Sequence, residues 1–94
     1  MPETYFQIQW PDGRQQTCYS PSSVIKDYFE LGQTYTVSDF LSRARDSLQQ
    51  ASNRVQAKYG FPCSRALGQL QQLEAAAQPY LAQPSDRVTV LQLE

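Results

Sequence analysis

Between Val37 and Tyr59 the chain repeats apolar residues at steps of three and four: Val37, Phe40, Leu41, Ala44, Leu48, Ala51, Val55 and Tyr59. That spacing places them along one side of an α-helix and leaves Ser42, Asp46, Gln49 and Asn53 on the other. The ends are marked too. Ser38 is suited to be the N-cap, Asp39 complements the positive start of the helix dipole, and Lys58 lies in the last turn, where a cation is favoured. Gly60 supplies a left-handed residue just past the end. A helix this long with one apolar side obliges every other segment to cover it.

The flanking segments are built to do so. In Thr4–Trp10, Phe6, Ile8 and Trp10 alternate with Tyr5, Gln7 and Gln9, the period of a half-buried strand. Pro11-Asp12-Gly13 then reads as a three-residue hairpin loop, and Arg14–Tyr19 as the return strand. This loop sets Trp10 opposite Arg14, Ile8 opposite Gln16 and Phe6 opposite Cys18, which puts Cys18 on the core face. Ser20-Pro21 is suited to start a short helix, with Val24, Ile25, Tyr28 and Phe29 on one face and Gly32 closing it. Gln33–Thr36 reads as an extended link.

Beyond Gly60, Phe61-Pro62 forces an extended step, because the residue before proline is pushed out of the helical region. The spacing of Ala66, Leu67, Leu70, Leu73 and Ala77 predicts a second long helix over Ser64–Gln78, antiparallel to the first across so short a connection. Pro79 kinks or restarts it. Pro84-Ser85-Asp86 is a turn, and Arg87–Leu93 reads as a strand that pairs with the hairpin. Val88 and Val90 share one parity there, whereas Leu91 and Leu93 share the other. A bulge or an exposed apolar side accounts for the switch. The expected fold is one α+β domain over residues 1–94. A small antiparallel sheet, the N-terminal β-hairpin plus the C-terminal strand, packs on an antiparallel helical hairpin with one short extra helix.

Composition narrows the function classes. A net charge of −1 over 94 residues argues against a nucleic-acid binder, whose footprint is strongly basic. No run approaches the roughly 18–20 apolar residues that span a bilayer. Met1–Trp10 has neither a basic nor an apolar leader region, so a cytoplasmic protein is expected. The sequence contains no histidine, the commonest general base and metal ligand. Any catalysis falls to Cys, Tyr, Lys or carboxylates, which points away from an enzyme, and no metal or cofactor is expected.

Three groups of residues are candidates for function. Cys63 precedes the second helix, where backbone N–H groups and the dipole favour a thiolate and Arg65 is close. It reads also as a small buried hydrophobe, the favoured reading because the sequence offers no histidine to act as its base. Cys18 reads as structural, and a reducing compartment disfavours a Cys18–Cys63 disulfide. Arg43, Arg54 and Lys58 run along one flank of the long helix. With Arg65 they are suited to hold a phosphate, a carboxylate or an acidic partner, or they form an ordinary solvated flank. Six tyrosines and Trp10 exceed what such a core needs. Tyr5, Tyr19 and Tyr35 are expected to be exposed, as an interface or as scattered surface, and Tyr28 and Tyr59 to be core.

Several stretches resemble a known family: Trp10-Pro11-Asp12-Gly13, Cys18-Tyr19-Ser20-Pro21-Ser22, Tyr35 to Phe40, and the run from Ala51-Ser52-Asn53-Arg54 through Lys58-Tyr59-Gly60-Phe61 to Cys63-Ser64. They are similar to small bacterial nitrogen starvation response proteins, whose genes cluster with a nitrilase, a radical SAM enzyme, an acetyltransferase and a flavoprotein. The resemblance extends to about Leu73. It implies a role in nitrogen-limited metabolism and brings no catalytic residues with it. The expected function is therefore a small non-catalytic accessory protein that docks on a pathway enzyme or self-associates. Arg43, Arg54, Lys58, Cys63, Arg65 and Tyr35 are its candidate contact residues. The alternative is an anionic-ligand-binding or thiol-dependent protein centred on Cys63.

Overall fold

Strands β1 (Thr4–Gln9) and β2 (Gln15–Ser20) pair in the register that the Pro11-Asp12-Gly13 loop dictates. Phe6 stands opposite Cys18 and Ile8 opposite Gln16. Trp10 N–H donates to the Arg14 carbonyl at 2.8 Å, and Gly13 takes the φ of 93° that this turn needs. The computed structural model describes residues 3–61, 63–82 and 86–93. Pro62 of the expected extended step, and Pro84-Ser85 of the expected turn, lie outside them.

Two further strands complete an antiparallel sheet of order β2-β1-β4-β3: β3 (Thr34–Thr36) and β4 (Arg87–Leu93). β4 pairs with β1 as the sequence implies, and the parity switch in its sequence is a bulge. Gln7 faces Gln92 but Ile8 faces Val90, so Leu91 is the extra residue. Val88 and Val90 are fully buried, and Leu93 returns opposite Phe6 to pack partly on the core. The expected link Gln33–Thr36 is in fact largely strand, with Tyr35 opposite Val88. Three residues are too few to display alternation; the pairing is imposed by β4.

The short helix also starts later than Ser20-Pro21 suggests. Ser20 is held in β2 opposite Thr4, so the cap moves to Ser22, whose Oγ accepts from Val24 N–H at 3.3 Å. A 3-10 segment over Ser23–Asp27 follows, and Val24, Ile25 and Phe29 are buried from it. Helix α1 spans Val37–Tyr59, but its cap is Thr36 rather than Ser38. Thr36 ends β3 in an extended conformation, and its Oγ1 accepts from Asp39 N–H at 3.2 Å. Gly60 ends α1 at φ 89°, its N–H donating to the Gln56 carbonyl.

Helix α2 (Ser64–Ala77) returns antiparallel to α1. The Cys63 N–H donates to Ser52 Oγ at one end, and Arg45 pairs with Glu74 at 3.2 Å nearer the other. At Pro79 the helix gives way to a single 3-10 turn, Gln78–Tyr80. Between sheet and helices lie Phe6, Ile8, Ile25, Phe29, Phe40, Leu48, Leu73, Val88 and Val90, all nearly or wholly inaccessible. The apolar side of α1 is buried from Val37 to Ala51, then emerges. Val55 is half-buried and Tyr59, expected in the core, is 57% exposed. The cause is length: 23 residues of helix reach about 34 Å, whereas six residues of strand reach about 20 Å. Of the other tyrosines, Tyr5 is exposed as expected, while Tyr19, Tyr28 and Tyr35 are half-buried.

This contrast along one stripe is measurable. Leu48→Ala is expected to lower unfolding free energy by about 2–5 kcal/mol, because it opens a cavity in a closed site. Tyr59→Ala should stay within about 0.5 kcal/mol of wild type in the same urea titration.

Candidate interaction site at the helical turn

Because α1 overruns the sheet and Gly60 reverses the chain sharply, Tyr59 and Phe61 project at the tip of the helical hairpin, Phe61 being 65% exposed. Beside them Glu3, Tyr19, Pro21, Val55, Tyr59 and Cys63 line a concavity of about 210 Å³. Its two tyrosines each carry a cation. The Arg65 guanidinium lies 3.8 Å from the centre of the Tyr19 ring, and Lys58 Nζ lies 5.5 Å from that of Tyr59. Arg54 donates to the Oγ of Ser22 at 3.2 Å, next to Pro21. Among the described residues Arg54, Lys58 and Arg65 make no ion pair. Glu3 is the one acid in the lining.

Four of the residues singled out from the sequence, Arg54, Lys58, Cys63 and Arg65, are thus gathered around one feature. Arg43 and Tyr35 are not with them. Arg43 stands about 16 Å before Arg54 along the helix. It bonds Asp39 at 3.1 Å and the Tyr28 carbonyl at 2.8 Å, and lies 4.9 Å from the centre of the Tyr35 ring. The Tyr35 hydroxyl accepts from Glu30 N–H at 2.9 Å. These residues line a separate cavity of about 320 Å³ with Asp27, Tyr28, Glu30 and Gln33.

The thiols differ in setting. Both cysteines are free. Cys63 is half-buried at the start of α2 and makes no capping hydrogen bond through its side chain. Cys18 is 1% exposed in the core, and burial pushes its pKa up to about 12. Burial also raises the pKa of Tyr19, with Glu3 adding to the effect and Arg65 opposing it. The Tyr5 hydroxyl beside the guanidinium raises that of Arg65. Tyr5 and Tyr19 meet edge to face at 5.6 Å, extending the aromatic surface onto the outside of the sheet. Periodicity assigns Tyr59 to the core; the disparity in helix and strand length is the signal for its exposure and that of Phe61. Ser22 and Ser52, each holding a site residue in place, carry no sequence signal of their own.

No group of three or more His, Cys, Asp or Glu residues among the described residues is placed to hold a metal ion. Nor is any helix among them long and apolar enough to cross a membrane. The class defined is an α+β protein with a four-stranded antiparallel sheet backed by a helical hairpin, bearing an aromatic and cationic tip. Within that class the chain belongs to the family of the nitrogen starvation-induced protein NitG, whose model matches residues 5–93. The match continues past Leu73 through β4. No curated protein and no solved structure matches the chain.

The burial of Cys18 has a pH signature. Its thiol stays protonated in the folded chain up to about 12, while the unfolded chain ionises near 9.0. Stability attributable to it is complete below pH 9 and falls by about 1.4 kcal/mol per pH unit between 9 and 12. Chemical denaturation at pH 8.5, 10 and 11 should show that slope, reduced in Cys18→Ala to what the raised pKa of Tyr19 contributes. A disulfide-exchange thiol reagent should modify Cys63 in the native protein and Cys18 only on unfolding.

Proposed function

We propose that this protein is a small, non-catalytic, single-domain accessory factor of the bacterial cytoplasm. It acts when nitrogen is limiting and docks through the helical turn on an acidic surface of an enzyme in its pathway. The observation that carries this reading is the exposure of Tyr59 and Phe61 beside Arg54, Lys58 and Arg65, none of which is ion-paired among the described residues. Large aromatic groups next to arginines make effective contact surfaces, since they present apolar area together with hydrogen-bond donors. Membership of a nitrogen starvation-induced family supports the condition of action. A two-fold contact between copies through the same tip would oppose like charges, which favours a different protein as partner.

A second reading places a small anion in the concavity beside Cys63, and the same three cations favour it. The Glu3 carboxylate in the lining works against it. Replacing Cys63 by Ser separates thiol chemistry from docking, because docking survives the change.

The deciding experiment is a tagged pull-down from nitrogen-starved host cells against an untagged control. One enzyme is expected in stoichiometric amount, lost in Lys58→Glu and Phe61→Ser, whose exposed positions leave thermal stability unchanged. Recovery of the tagged protein alone overturns the proposal.

A further inference from the structure

β2 is an edge strand, and α2 lies along it. The outward N–H of Tyr19 donates to Gln69 Oε1 at 3.1 Å. Only the oxygen end of an amide can accept that proton, so the bond settles the orientation of Gln69 and turns Nε2 away from the strand. Nε2 is sealed from solvent and meets no acceptor among the described residues. A buried donor without a partner is destabilising and calls for an explanation.

Gln69 lines a cavity of about 300 Å³ with Tyr19, Arg65, Gly68 and Gln72. None of these is acidic. Arg65, held over the Tyr19 ring, has no carboxylate in salt-bridge range among the described residues. Gly68 is the third anomaly. It sits inside α2, where alanine is the better helix former, and a Cβ there would meet nothing within 4 Å. The fold therefore makes no demand for glycine at this position, and what it leaves is room for another molecule to approach the helix closely. Positions 65, 68, 69 and 72 follow helical spacing and share one face.

We propose that this face of α2, against the edge of β2, binds a small molecule bearing a carboxylate. The Arg65 fork receives the carboxylate oxygens. The Tyr19 ring keeps the guanidinium in place, and the Gln69 amide in the cavity wall holds Nε2 as a donor to which the described residues offer no acceptor. The open surface at Gly68 admits the carbon skeleton, and the volume suits a ligand at the small end of the usual range. This site adjoins the docking tip and shares Tyr19 and Arg65 with it, but Tyr59, Phe61 and Lys58 line no part of it.

The test is an NMR titration of the nitrogen-15-labelled full chain with succinate, and in parallel with inorganic phosphate. It follows the Gln69 side-chain amide and the Arg65 Nε–H. Succinate is expected to shift both saturably, and Arg65→Met and Gln69→Leu should each weaken binding about tenfold or more. Gly68→Ala should raise the melting temperature, which certifies its fold, and weaken succinate binding at the same time. Lys58→Glu, which disrupts the docking tip, should leave the titration as it was. The proposal is overturned if the Gln69 amide is unmoved up to about 20 mM succinate, beyond the range of a weak millimolar site. It is equally overturned if phosphate saturates the site in preference, or if the shifts persist undiminished in Arg65→Met.

Discussion

The ring of Phe40 joins the parts of this structure. Its centre lies 5.2 Å from that of Phe29 and 5.8 Å from that of Trp10, and the side chain is wholly buried. From Phe29 the contacts continue to Phe6 on β1 and Tyr35 on β3; from Trp10 they continue to Tyr80 past the end of α2. One connected set of rings thus touches the hairpin, the edge strand, the long helix and the last turn of the helical pair. Each such contact contributes about 0.5–1.5 kcal/mol beyond the area it buries. The Trp10 indole N–H is not left unpaired by this packing, because it donates to Gln16 Oε1 at 2.9 Å. The seating of α1 on the sheet follows from where these rings can meet.

Sheet order imposes a second dependence. β1 and β3 do not pair with each other; both pair with β4, which comes from the far end of the chain. The Leu91 bulge reconciles two demands on that strand. Val88 and Val90 must face the core between β1 and β3, yet Leu93 must also turn inward opposite Phe6. Without the extra residue, a strict period of two would send Leu93 to the outer face. So the apparent inconsistency in the tail's hydrophobic pattern is what lets a short strand serve two neighbours.

Legibility in the sequence followed locality. The hairpin register, the extent of α1, its left-handed Gly60 and the second helix are decided by neighbouring residues, and they stand where the sequence puts them. β3 shows in the sequence only as an extended link, since three residues take their identity from a partner over fifty positions away. The caps moved from Ser38 to Thr36 and from Ser20 to Ser22 because strand pairing held the preceding residues extended. The sequence shows Arg43, Arg54 and Lys58 along one flank of α1 and Cys63 before α2, but Arg43 and Tyr35 belong to another part of the surface. Gln69 carried no signal at all: a glutamine on an amphipathic helix reads as solvated until the edge of β2 is placed beside it.

The mismatch between helix and sheet shapes the tip of the molecule. A helix of ten fewer residues would still cover six-residue strands, by the rise per residue of each. The last turns of α1 therefore add little to the core, and they hold Tyr59 and lead into Phe61, both left largely in water. Burying either ring would stabilise the chain by about 1.5–3 kcal/mol, so their exposure forgoes stabilisation that a shorter helix or a polar turn would not have needed. The same segment carries Arg54 and Lys58 without carboxylate partners among the described residues, although pairing at this spacing is easily arranged on a helix. Core packing explains neither choice. An acidic protein surface with an apolar centre would satisfy both at once.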